Sequence, residues 1–402
     1  MNVLVVNAGS STLKYQVIDT KSHKVSAKGS CERVCFTGGT FTHAANGSKK
    51  VTENIEFPDH KVAIEVVLKD LEANGVKIEG IGHRIVQGGW YFGDSSLVDE
   101  DVLAKIREVA PLAPLHNNPE ANVIEYCLEQ YPDLPNVTVY DTAFHFNMPE
   151  VAKTYALPKD VCDKLHIRKY GAHGTSHEFI SSVVPGVIGK PAEGLKQIVL
   201  HIGNGASASA EISGKPVETS MGLTPLEGLV MGGRTGDIDP AVVFHLIRNA
   251  HMSVDELDTL FNKRSGMMGL TGFGDLREVH RLVEEGNEDA KLALDIYVHR
   301  IVGYIGNYTA QMGGVDVITF TAGVGENDDV VRKMVCDKLA PFGVKLDEEK
   351  NATRSKEPRI ISTPDSAVTI CVIPTNEELA IARKSAAIAE EGKDSYGNVF
   401  SK

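Results

Sequence analysis

Three basic residues of this chain stand in settings that suit the binding of an anion. Arg84 interrupts the apolar run Ile81-Gly-His-Arg-Ile-Val, and a buried arginine is costly unless it pairs with an anion. His173 lies in the glycine-rich turn Tyr-Gly-Ala-His-Gly-Thr-Ser, and Arg234 follows a glycine pair. These positions favour electrostatic binding of an anionic ligand, although a salt bridge to a neighbouring carboxylate would account for Arg84 equally well.

A carboxylate and a second histidine accompany these cations. Val137 to Tyr140 is typical of a short strand, so Asp141 stands at its carboxyl end, where ligands of α/β sheets gather. His173 and His177 are spaced as a zinc pair on a helix would be, but no glutamate follows His173 and no third ligand is evident. We therefore favour a catalytic or anion-binding His173 and a His177 that faces the interior of a helix.

A strand–turn–strand pattern occurs twice in the chain. Residues 2–19 and 198–212 each contain an apolar strand, a turn of glycine and small polar residues, and a second strand. Small residues let a phosphate approach the backbone N–H groups of the turn, and Lys14 adds a positive charge to the first copy. One copy alone is most simply an ordinary hairpin. Two distant copies predict a duplicated domain whose two hairpins clamp one polyphosphate.

A joint of strand, glycine and helix follows later. Residues 315–320 form a buried strand pattern that leads into Gly323–Asn327 and then a helix, whose N-terminus faces the glycine segment. This arrangement favours nucleotide binding, although it lacks the Gly-Lys-Ser/Thr of the Walker motif.

The apolar periodicity predicts the elements that connect these motifs. We expect helices at 62–71, 119–130, 240–262, 276–285 and 289–311, a strand at 368–373, a stiff loop at 110–119, and edge strands and loops at 21–58. Asp275 is the expected N-cap of one helix, and Thr375 with Glu378 forms the capping box of the last. The tail from about Glu390 onward is expected to fray.

Bulk composition narrows the possible functions. The 402 residues suggest two domains, and the net charge of −13, from 41 basic and 54 acidic residues, argues against binding to nucleic acid or an anionic membrane. The six cysteines are scattered, which favours reduced structural thiols. No apolar run approaches the ~18 residues of a membrane span, so we expect a cytoplasmic protein.

Several motifs together resemble those of one family. Residues 5–14, Val-Val-Asn-Ala-Gly-Ser-Ser-Thr-Leu-Lys, closely resemble the first signature of the acetate kinase family, and Gly82–Gly89 resembles the second. The likeness continues in order through Asp141-Thr-Ala-Phe-His, His173-Gly-Thr-Ser-His, His201-Ile-Gly-Asn-Gly, Gly323-Val-Gly-Glu-Asn and Thr375-Asn-Glu-Glu. It implies an α/β fold of two duplicated ribonuclease-H-like/actin-like ATPase domains around a central cleft. The implied domains are residues 1–145 plus 380–402, and residues 146–379 with most of the nucleotide site.

The resemblance also implies an activity and a set of site residues. ATP and acetate would give ADP and acetyl phosphate by direct, reversible in-line transfer with Mg²⁺ or Mn²⁺, in a homodimer. Asn7 and Glu377 would hold the metal, Asp141, His173 and Arg234 would be catalytic, and Arg84, Val86, Leu115, Ala172 and Pro225 would bind the short-chain carboxylate. ATP would contact Lys14, His201, Ile202, Gly203, Asn204, Gly205, Asp275, Leu276, Arg277, Gly323, Val324, Gly325, Glu326 and Asn327.

The chemistry of a carboxylate acceptor agrees with these residue types. A carboxylic acid has a pKa of about 4–5, so acetate is ionised at pH 7 and needs no general base. The difficulty is to bring two anions together, which calls for cations and hydrogen-bond donors around the migrating phosphoryl group. Asp141 is therefore expected to orient magnesium, water or an arginine and not to accept a proton.

Two residues depart from the family pattern. Gln87 stands where members usually have histidine, and it keeps hydrogen-bonding capacity without charge, so we expect a modest effect. Ala172 stands where members usually have phenylalanine. The smaller side chain opens space for a longer acyl chain unless another residue fills it, so we expect relaxed selectivity towards propionate or butyrate.

Other functions stay open at this point. A kinase that prefers propionate or butyrate would use the same fold and mechanism. A sugar kinase would need a general base, which Asp141 could supply, but both arginines would then lack a purpose. A non-catalytic nucleotide switch would keep the hairpins but would not need Arg84, His173 and Arg234 together. Pyrophosphate could replace ATP, although Gly323–Asn327 favours an adenosine pocket.

Overall fold

The computed structural model describes residues 1–45 and 47–391, and in this part of the chain the predicted α/β class is confirmed. The tail predicted to fray from Glu390 lies almost entirely outside the described residues. The chain divides into two compact units. Of the described residues, the first unit contains those of Met1–Asn147, Gly174–Phe179 and those from Asn376 to Glu391, and the second contains Met148–His173 and Ile180–Thr375.

The described residues form fourteen strands and fifteen α-helices. The strands are β1 Asn2–Ala8, β2 Thr12–Asp19, β3 Val25–Glu32, β4 Gly39–Ala45, β5 Ser48–Ile55, β6 Gly80–Ile85, β7 Ser96–Leu97, β8 Asn136–Tyr140, β9 Lys196–Ile202, β10 Ala206–Ile212, β11 Lys215–Thr219, β12 Val317–Thr321, β13 Arg359–Ile360 and β14 Thr369–Val372. The helices are α1 His60–Ala73, α2 Glu100–Glu108, α3 Pro114–Gln130, α4 Glu150–Lys153, α5 Lys159–Leu165, α6 Gly174–Ile188, α7 Ala241–Ala250, α8 Val254–Lys263, α9 Gly266–Thr271, α10 Leu276–Glu284, α11 Glu288–Met312, α12 Ala322–Asn327, α13 Asp329–Lys338, α14 Glu348–Ala352 and α15 Glu377–Glu391.

The two units repeat one sheet topology. The first contains an 8-stranded sheet in the order β5-β4-β3-β2-β1-β6-β8-β7, and the second a 6-stranded sheet in the order β11-β10-β9-β12-β14-β13. In the first, β3, β2 and β1 are antiparallel neighbours, and β1, β6 and β8 are parallel. In the second, β11, β10 and β9 are antiparallel, and β9, β12 and β14 are parallel. This shared order and direction confirms the predicted duplication of a ribonuclease-H-like domain.

The first strand is continuously apolar because both faces of its sheet are covered. Leu4 packs in a cluster that includes Ile64 of α1, whereas Val3 and Val5 pack with Ile381 of α15. A strand covered on both faces needs no polar alternation, and this explains the unbroken run of valine and leucine in β1.

The second unit is centred on the long helix α11. Leu294, Ile301 and Ile305 belong to its buried stripe, which joins Ile198 and Leu200 of β9 in one core cluster. Their spacing follows the helical repeat, so the opposite side of α11 remains available for polar contacts.

The structure corrects three details of the predicted elements. Helix α3 begins at Pro114, within the predicted stiff loop, because proline suits the first turn of a helix. The helix predicted at 240–262 is two helices, since Ser253 and Glu256 form a capping box that starts α8. Asn376, and not Thr375, lies at the N-cap of α15, where its side chain accepts a hydrogen bond from the backbone N–H of Leu379 at 3.0 Å.

The cysteines and helices show two further properties. All six cysteines fall within the described residues and are free thiols, of which Cys35 is exposed and the others are buried. Among the described residues, no helix has both the length and the apolar character that crossing a membrane requires.

Candidate active site

In the first unit, β6 and β8 bring Arg84 against Asp141. Nη2 of Arg84 donates to Oδ2 of Asp141 at 2.6 Å, and its Nε lies 3.2 Å from both carboxylate oxygens. Burial is the largest single effect and lowers the pKa of Arg84, but the surrounding carboxyl groups, Asp141 foremost and then Glu377 and Glu120, together outweigh it and raise the pKa. The salt bridge that the sequence left open for Arg84 is therefore present, and its partner is a predicted site residue.

Two more carboxyl groups interact with this pair, the half-buried Glu377 and the buried Glu120. Burial raises the pKa of Glu377 to about 7, with Arg84 opposing the rise and Asp141 adding to it. Burial also raises the pKa of Glu120 well above its usual range. Oε2 of Glu120 accepts from the backbone N–H of Val86 at 3.3 Å, and its Oε1 has no hydrogen-bond partner among the described residues.

Sequence reasoning overlooked Glu120. The sequence pattern that could have revealed it is an acidic residue on the apolar stripe of a helix, one turn before the buried residues Val123 and Ile124 of α3. A glutamate in such a position is almost never fully buried without a partner, so the pattern itself marked it as unusual.

The first hairpin places two predicted site residues side by side. Asn7 and Lys14 are directly opposite each other in the antiparallel pair β1–β2, next to the turn. Directly opposite residues share one face of a sheet, so the structure brings the predicted metal ligand and the predicted phosphate-binding lysine together.

The other first-unit residues differ in exposure. Val86 is buried at 9 % exposure, whereas Leu115 in the first turn of α3 is 54 % exposed. Gln87 is buried, and its Oε1 accepts from the backbone N–H of Gly89 at 2.8 Å. The amide thus closes a tight turn and needs no charge for that task.

In the second unit, two histidines stack at the second hairpin. The rings of His173 and His201 have centroids 4.1 Å apart and an interplanar angle of 22°. Nδ1 of His173 lies 2.8 Å from Oγ of Ser207 in β10. The backbone of His173 has a φ of +55°, a left-handed conformation that is uncommon outside glycine and clusters at functional sites.

Because Gly205 has no side chain, Arg234 reaches the same hairpin turn. A Cβ at Gly205 would lie 2.7 Å from Nη2 of Arg234 and 3.4 Å from Nε2 of His173. Nη1 of Arg234 donates to the carbonyl of Pro225 at 2.5 Å, and no carboxylate of the described residues forms a salt bridge with it. Burial lowers the pKa of Arg234. A desolvated guanidinium without a counterion is well suited to bind an anion.

The joint after β12 is more ordered than a loop. Ala322–Asn327 forms the short helix α12, and Oε1 of Glu326 accepts from the backbone N–H groups of Ala322 at 2.9 Å and Thr375 at 3.1 Å. Glu326 therefore holds this joint against the chain that follows β14.

A cavity of about 1150 Å³ lies in the second unit, large enough for a nucleotide. Its walls include these residues predicted to bind ATP: Gly203, Asn204, Asp275, Leu276, Arg277, Gly323, Val324 and Asn327. The other second-unit candidates, His201, Ile202, Gly205, Gly325 and Glu326, are outside its lining. The lining also includes residues that sequence reasoning missed, among them His280, Lys291, Tyr297 and Arg354.

Two details of the acyl-pocket residues concern the same unit. Ala172 is 3 % exposed and belongs to the main apolar core cluster. Pro225 is half-buried and supplies the carbonyl that binds Arg234.

The predicted N-cap at Asp275 is confirmed, and this carboxylate also pairs with Arg277 at 2.5 Å.

The predicted magnesium ligands have suitable chemistry. Asn7 and Glu377 offer oxygen donors, which Mg²⁺ prefers, and burial of Glu377 beside Asp141 makes a nearby cation favourable to its charged form. The described residues contain no group of three or more His, Cys, Asp or Glu side chains arranged to hold a metal ion.

The repeated sheet topology defines a protein with two duplicated ribonuclease-H-like, actin-like domains. A family model described as the acetokinase family matches residues 2–383. The chain belongs to the acetokinase family.

Similar proteins cover nearly the whole chain. An acetate kinase of Leifsonia xyli is 49 % identical over 389 residues, covering 95 % of this chain and 98 % of the relative. The crystal structure of Porphyromonas gingivalis acetate kinase has a TM-score of 0.91 at 39 % identity and covers 96 % of this chain and 99 % of that one. A propionate kinase from Francisella tularensis has a TM-score of 0.89 at 40 % identity, with 95 % and 98 % coverage.

One ion pair in the cavity wall predicts a pH dependence of stability. Nε2 of His280 lies 2.6 Å from Oδ2 of Asp328, and this hydrogen bond raises the pKa of His280 while burial opposes the rise. The other oxygen of Asp328 caps α13 by accepting from the backbone N–H of Val331. A histidine pKa that is higher in the folded state contributes stability below pH ~6.5, and this contribution is lost as pH rises through the folded-state pKa.

We therefore expect the His280→Gln variant to lose more Tm relative to the native sequence near pH 6 than near pH 8. Thermal unfolding across this pH range measures the difference, and His299→Gln, at an exposed position of α11, is the control. A Tm difference that stays constant or widens towards pH 8 would contradict the prediction.

Proposed function

We propose that this protein transfers the γ-phosphoryl group of ATP to acetate, giving acetyl phosphate and ADP in a reversible reaction. The observation that carries the proposal is the desolvated Arg234, which has no carboxylate partner in the described part of the chain and converges with His173 on Gly205. The family membership and the acetate kinases among the relatives support the same activity.

The chemistry of this acceptor matches the charges of the site. Acetate is ionised at neutral pH, so its oxygen attacks phosphorus without a general base, and the P–O bond to ADP breaks as the new P–O bond forms. The barrier comes from the approach of two anions. Arg234 and His173 would stabilise the equatorial oxygens of the phosphoryl group in flight.

Arg84 would bind the carboxylate of the substrate. Its bidentate contact with Asp141 fixes the plane of the guanidinium, and both oxygens of Asp141 are engaged with it. Asp141 would therefore orient Arg84 and would not serve as a base. This engagement argues against a sugar hydroxyl as the acceptor, since such an acceptor needs a proton removed.

The nucleotide would occupy the cavity of about 1150 Å³ in the second unit. Lys14 and the glycine turn Gly203–Gly205 would bind phosphates, and Asp275, Arg277 and Gly323–Asn327 would bind the nucleoside. Asn7 and Glu377 would hold Mg²⁺, and Mn²⁺ could replace it because it accepts the same oxygen ligands. When bound, this ion neutralises negative charge on the phosphate oxygens.

We also propose a domain arrangement, a cellular location and a set of partners that suit this reaction. The two structural units would correspond to the two predicted domains, with most of the nucleotide site in the second. The protein would work in the cytoplasm, where ATP is available, and neither nucleic acid nor a membrane would be a partner.

The first test concerns Arg234. With Mg-ATP and acetate, we expect the protein to release ADP in a coupled assay and the Arg234→Ala variant to lose about 3–5 decades of kcat, as an arginine finger does. Arg281→Ala is the matched control, because Arg281 is exposed and its salt bridges among the described residues are to Glu278 and Glu285. Removal of divalent metal with EDTA should abolish turnover.

Retention of more than a tenth of kcat by Arg234→Ala would contradict the role given to Arg234. Binding of ATP without turnover of any short-chain carboxylate would instead favour a non-catalytic nucleotide switch.

The second test concerns the acyl chain. Ala172 replaces the larger residue usual in the family, and the similar propionate kinase shows that this fold accommodates such a preference. We expect propionate to be used with a kcat/KM close to that of acetate, and butyrate less well, since each methylene is worth about 1–3 kcal/mol in such a pocket. Parallel titrations of the three acids under identical conditions measure this. A kcat/KM for propionate hundreds of times below that for acetate would show that neighbouring side chains fill the space at Ala172.

The third test concerns the homodimer. Helix α7 contains no buried residue, and Val242, Phe244 and Ile247 on it are 37 %, 54 % and 40 % exposed. Exposed apolar groups so concentrated mark an interface between protein chains. Sedimentation equilibrium should give twice the chain mass of 43.4 kDa, and Phe244→Glu should lower it. Val151→Glu, at an exposed site of α4, should keep the dimer mass, and a monomeric native protein would refute the proposal.

A further inference from the structure

The segment that carries Arg234 is closed by contacts between its two ends. The backbone N–H of Gly228 donates to Oδ1 of Asp237 at 2.8 Å, and the backbone N–H of Asp237 donates to the carbonyl of Gly228 at 3.0 Å. A Cβ at Gly236 would lie 2.4 Å from the carbonyl of Leu229, so the backbone is tightly packed within this closed segment. We call residues 228–237 the arginine loop.

Helix α11 holds both ends of the arginine loop. Nη1 of Arg300 donates to the carbonyls of Gly228 at 3.2 Å and Asp237 at 3.1 Å. The hydroxyl of Tyr304 donates to Oδ2 of Asp237 at 2.7 Å, and Arg300 lies 3.3 Å from the same oxygen. Arg300 and Tyr304 are one helical turn apart, so a single face of α11 provides all these donors.

No carboxylate of the described residues aligns the charge of Arg234, so its placement depends on how the backbone of the arginine loop is held. Next to Arg234, the backbone N–H of Thr235 donates to the carbonyl of Phe261 at 3.0 Å, and the carbonyl of Gly233 accepts from the backbone N–H of Ser265 at 3.0 Å; α11 adds the support at the two ends of the loop. Arg84 is oriented by a bidentate carboxylate, whereas the guanidinium of Arg234 donates to a backbone carbonyl, that of Pro225. The placement of its guanidinium is then determined mainly by the backbone from which it projects. A guanidinium that must meet a phosphoryl group loses much of its effect when displaced by about 1 Å.

We propose that Asp237, Arg300 and Tyr304 are positioning residues for the reaction, which hold the arginine loop so that Arg234 meets the migrating phosphoryl group. This inference rests on the proposed phosphoryl transfer. None of the three residues would touch ATP or the carboxylate, and all three act through Arg234.

The same residues line a cavity, and the ring of Tyr304 also packs against the main apolar core cluster. Asp237, Arg300 and Tyr304 lie in the wall of a cavity of about 410 Å³, together with Gly303 of α11. Asp237→Asn and Tyr304→Phe keep the carbon framework of each side chain, so they leave the core packing of the unit in place. A Cβ at Gly303 would meet no atom within 4 Å, so Gly303→Ala changes the same wall without touching the network.

The first measurement is a set of steady-state parameters for Asp237→Asn, Tyr304→Phe and Gly303→Ala. We expect kcat to fall about 10- to 100-fold in Asp237→Asn and less in Tyr304→Phe, with the KM for ATP within about twofold of the native value. Gly303→Ala should retain the native kcat. A general structural defect would instead lower Tm and raise the KM for ATP along with the loss of kcat, and that pattern would overturn the proposal.

A double-mutant cycle tests whether these residues act through Arg234. In the Arg234→Ala background, measured over long incubations, Asp237→Asn should cause no further loss of kcat, because the group that it positions is already absent. An equal fractional loss in both backgrounds would show an independent role and reject the inference.

Failure of the inference is distinguishable from failure of the proposed function. An inactive native protein would refute the function. An active native protein that is impaired by Arg234→Ala but not by Asp237→Asn or Tyr304→Phe would refute the positioning role alone.

Discussion

The positive charge of Arg234, half-buried and without a carboxylate partner in the described part of the chain, is the interaction on which the site depends. Desolvation disfavours a guanidinium, so this arrangement lowers its pKa and leaves a charge that an incoming anion stabilises. The surrounding chain accommodates it through a glycine at position 205, a carbonyl from Pro225 and a loop closed on itself. The apolar core around α11 supplies the rigid base that such an uncompensated charge requires.

Arg84 shows the opposite electrostatic solution for the same residue type. Its bidentate pair with Asp141 neutralises the charge and fixes the guanidinium plane, with the half-buried Glu377 and the buried Glu120 nearby. A neutralised, oriented arginine suits the binding of a substrate in its ground state. An unpaired one is better suited to charge that develops during transfer, because its interaction strengthens as that charge appears. The two arginines thus have complementary electrostatic properties.

Duplication explains why both units carry polar groups at equivalent places. In each, an antiparallel hairpin adjoins two parallel strands, so the hairpin turn and the carboxyl ends of the parallel strands lie at one edge of the sheet. The first copy places Asn7 beside Lys14 there, and the second places His201 and Gly205. One topology therefore supplies two different sets of polar groups.

Much of this could be predicted because it depends on local pattern. The apolar run in β1, the small residues of both turns and the N-cap at Asp275 are set by neighbouring residues, and the repeated hairpin revealed the duplication. Predictions from local pattern were wrong where the same residue type occurs both in loops and at the start of helices. Pro114 lies in a stretch that suggested a loop, but it begins helix α3. The single helix predicted at 240–262 is interrupted by the capping box at Ser253.

By itself, the sequence determined the repeated strand–turn–strand pattern, the motifs and the identity of the candidate residues, since spacing and residue type decide these. Only the tertiary structure decided which arginine is paired, because Arg84 and Asp141 are joined by the register of parallel β6 and β8. It also revealed the buried Glu120 and the support that α11 gives to the arginine loop. Burial and electrostatic partnership depend on which distant segments pack together, and no local pattern of residues records that.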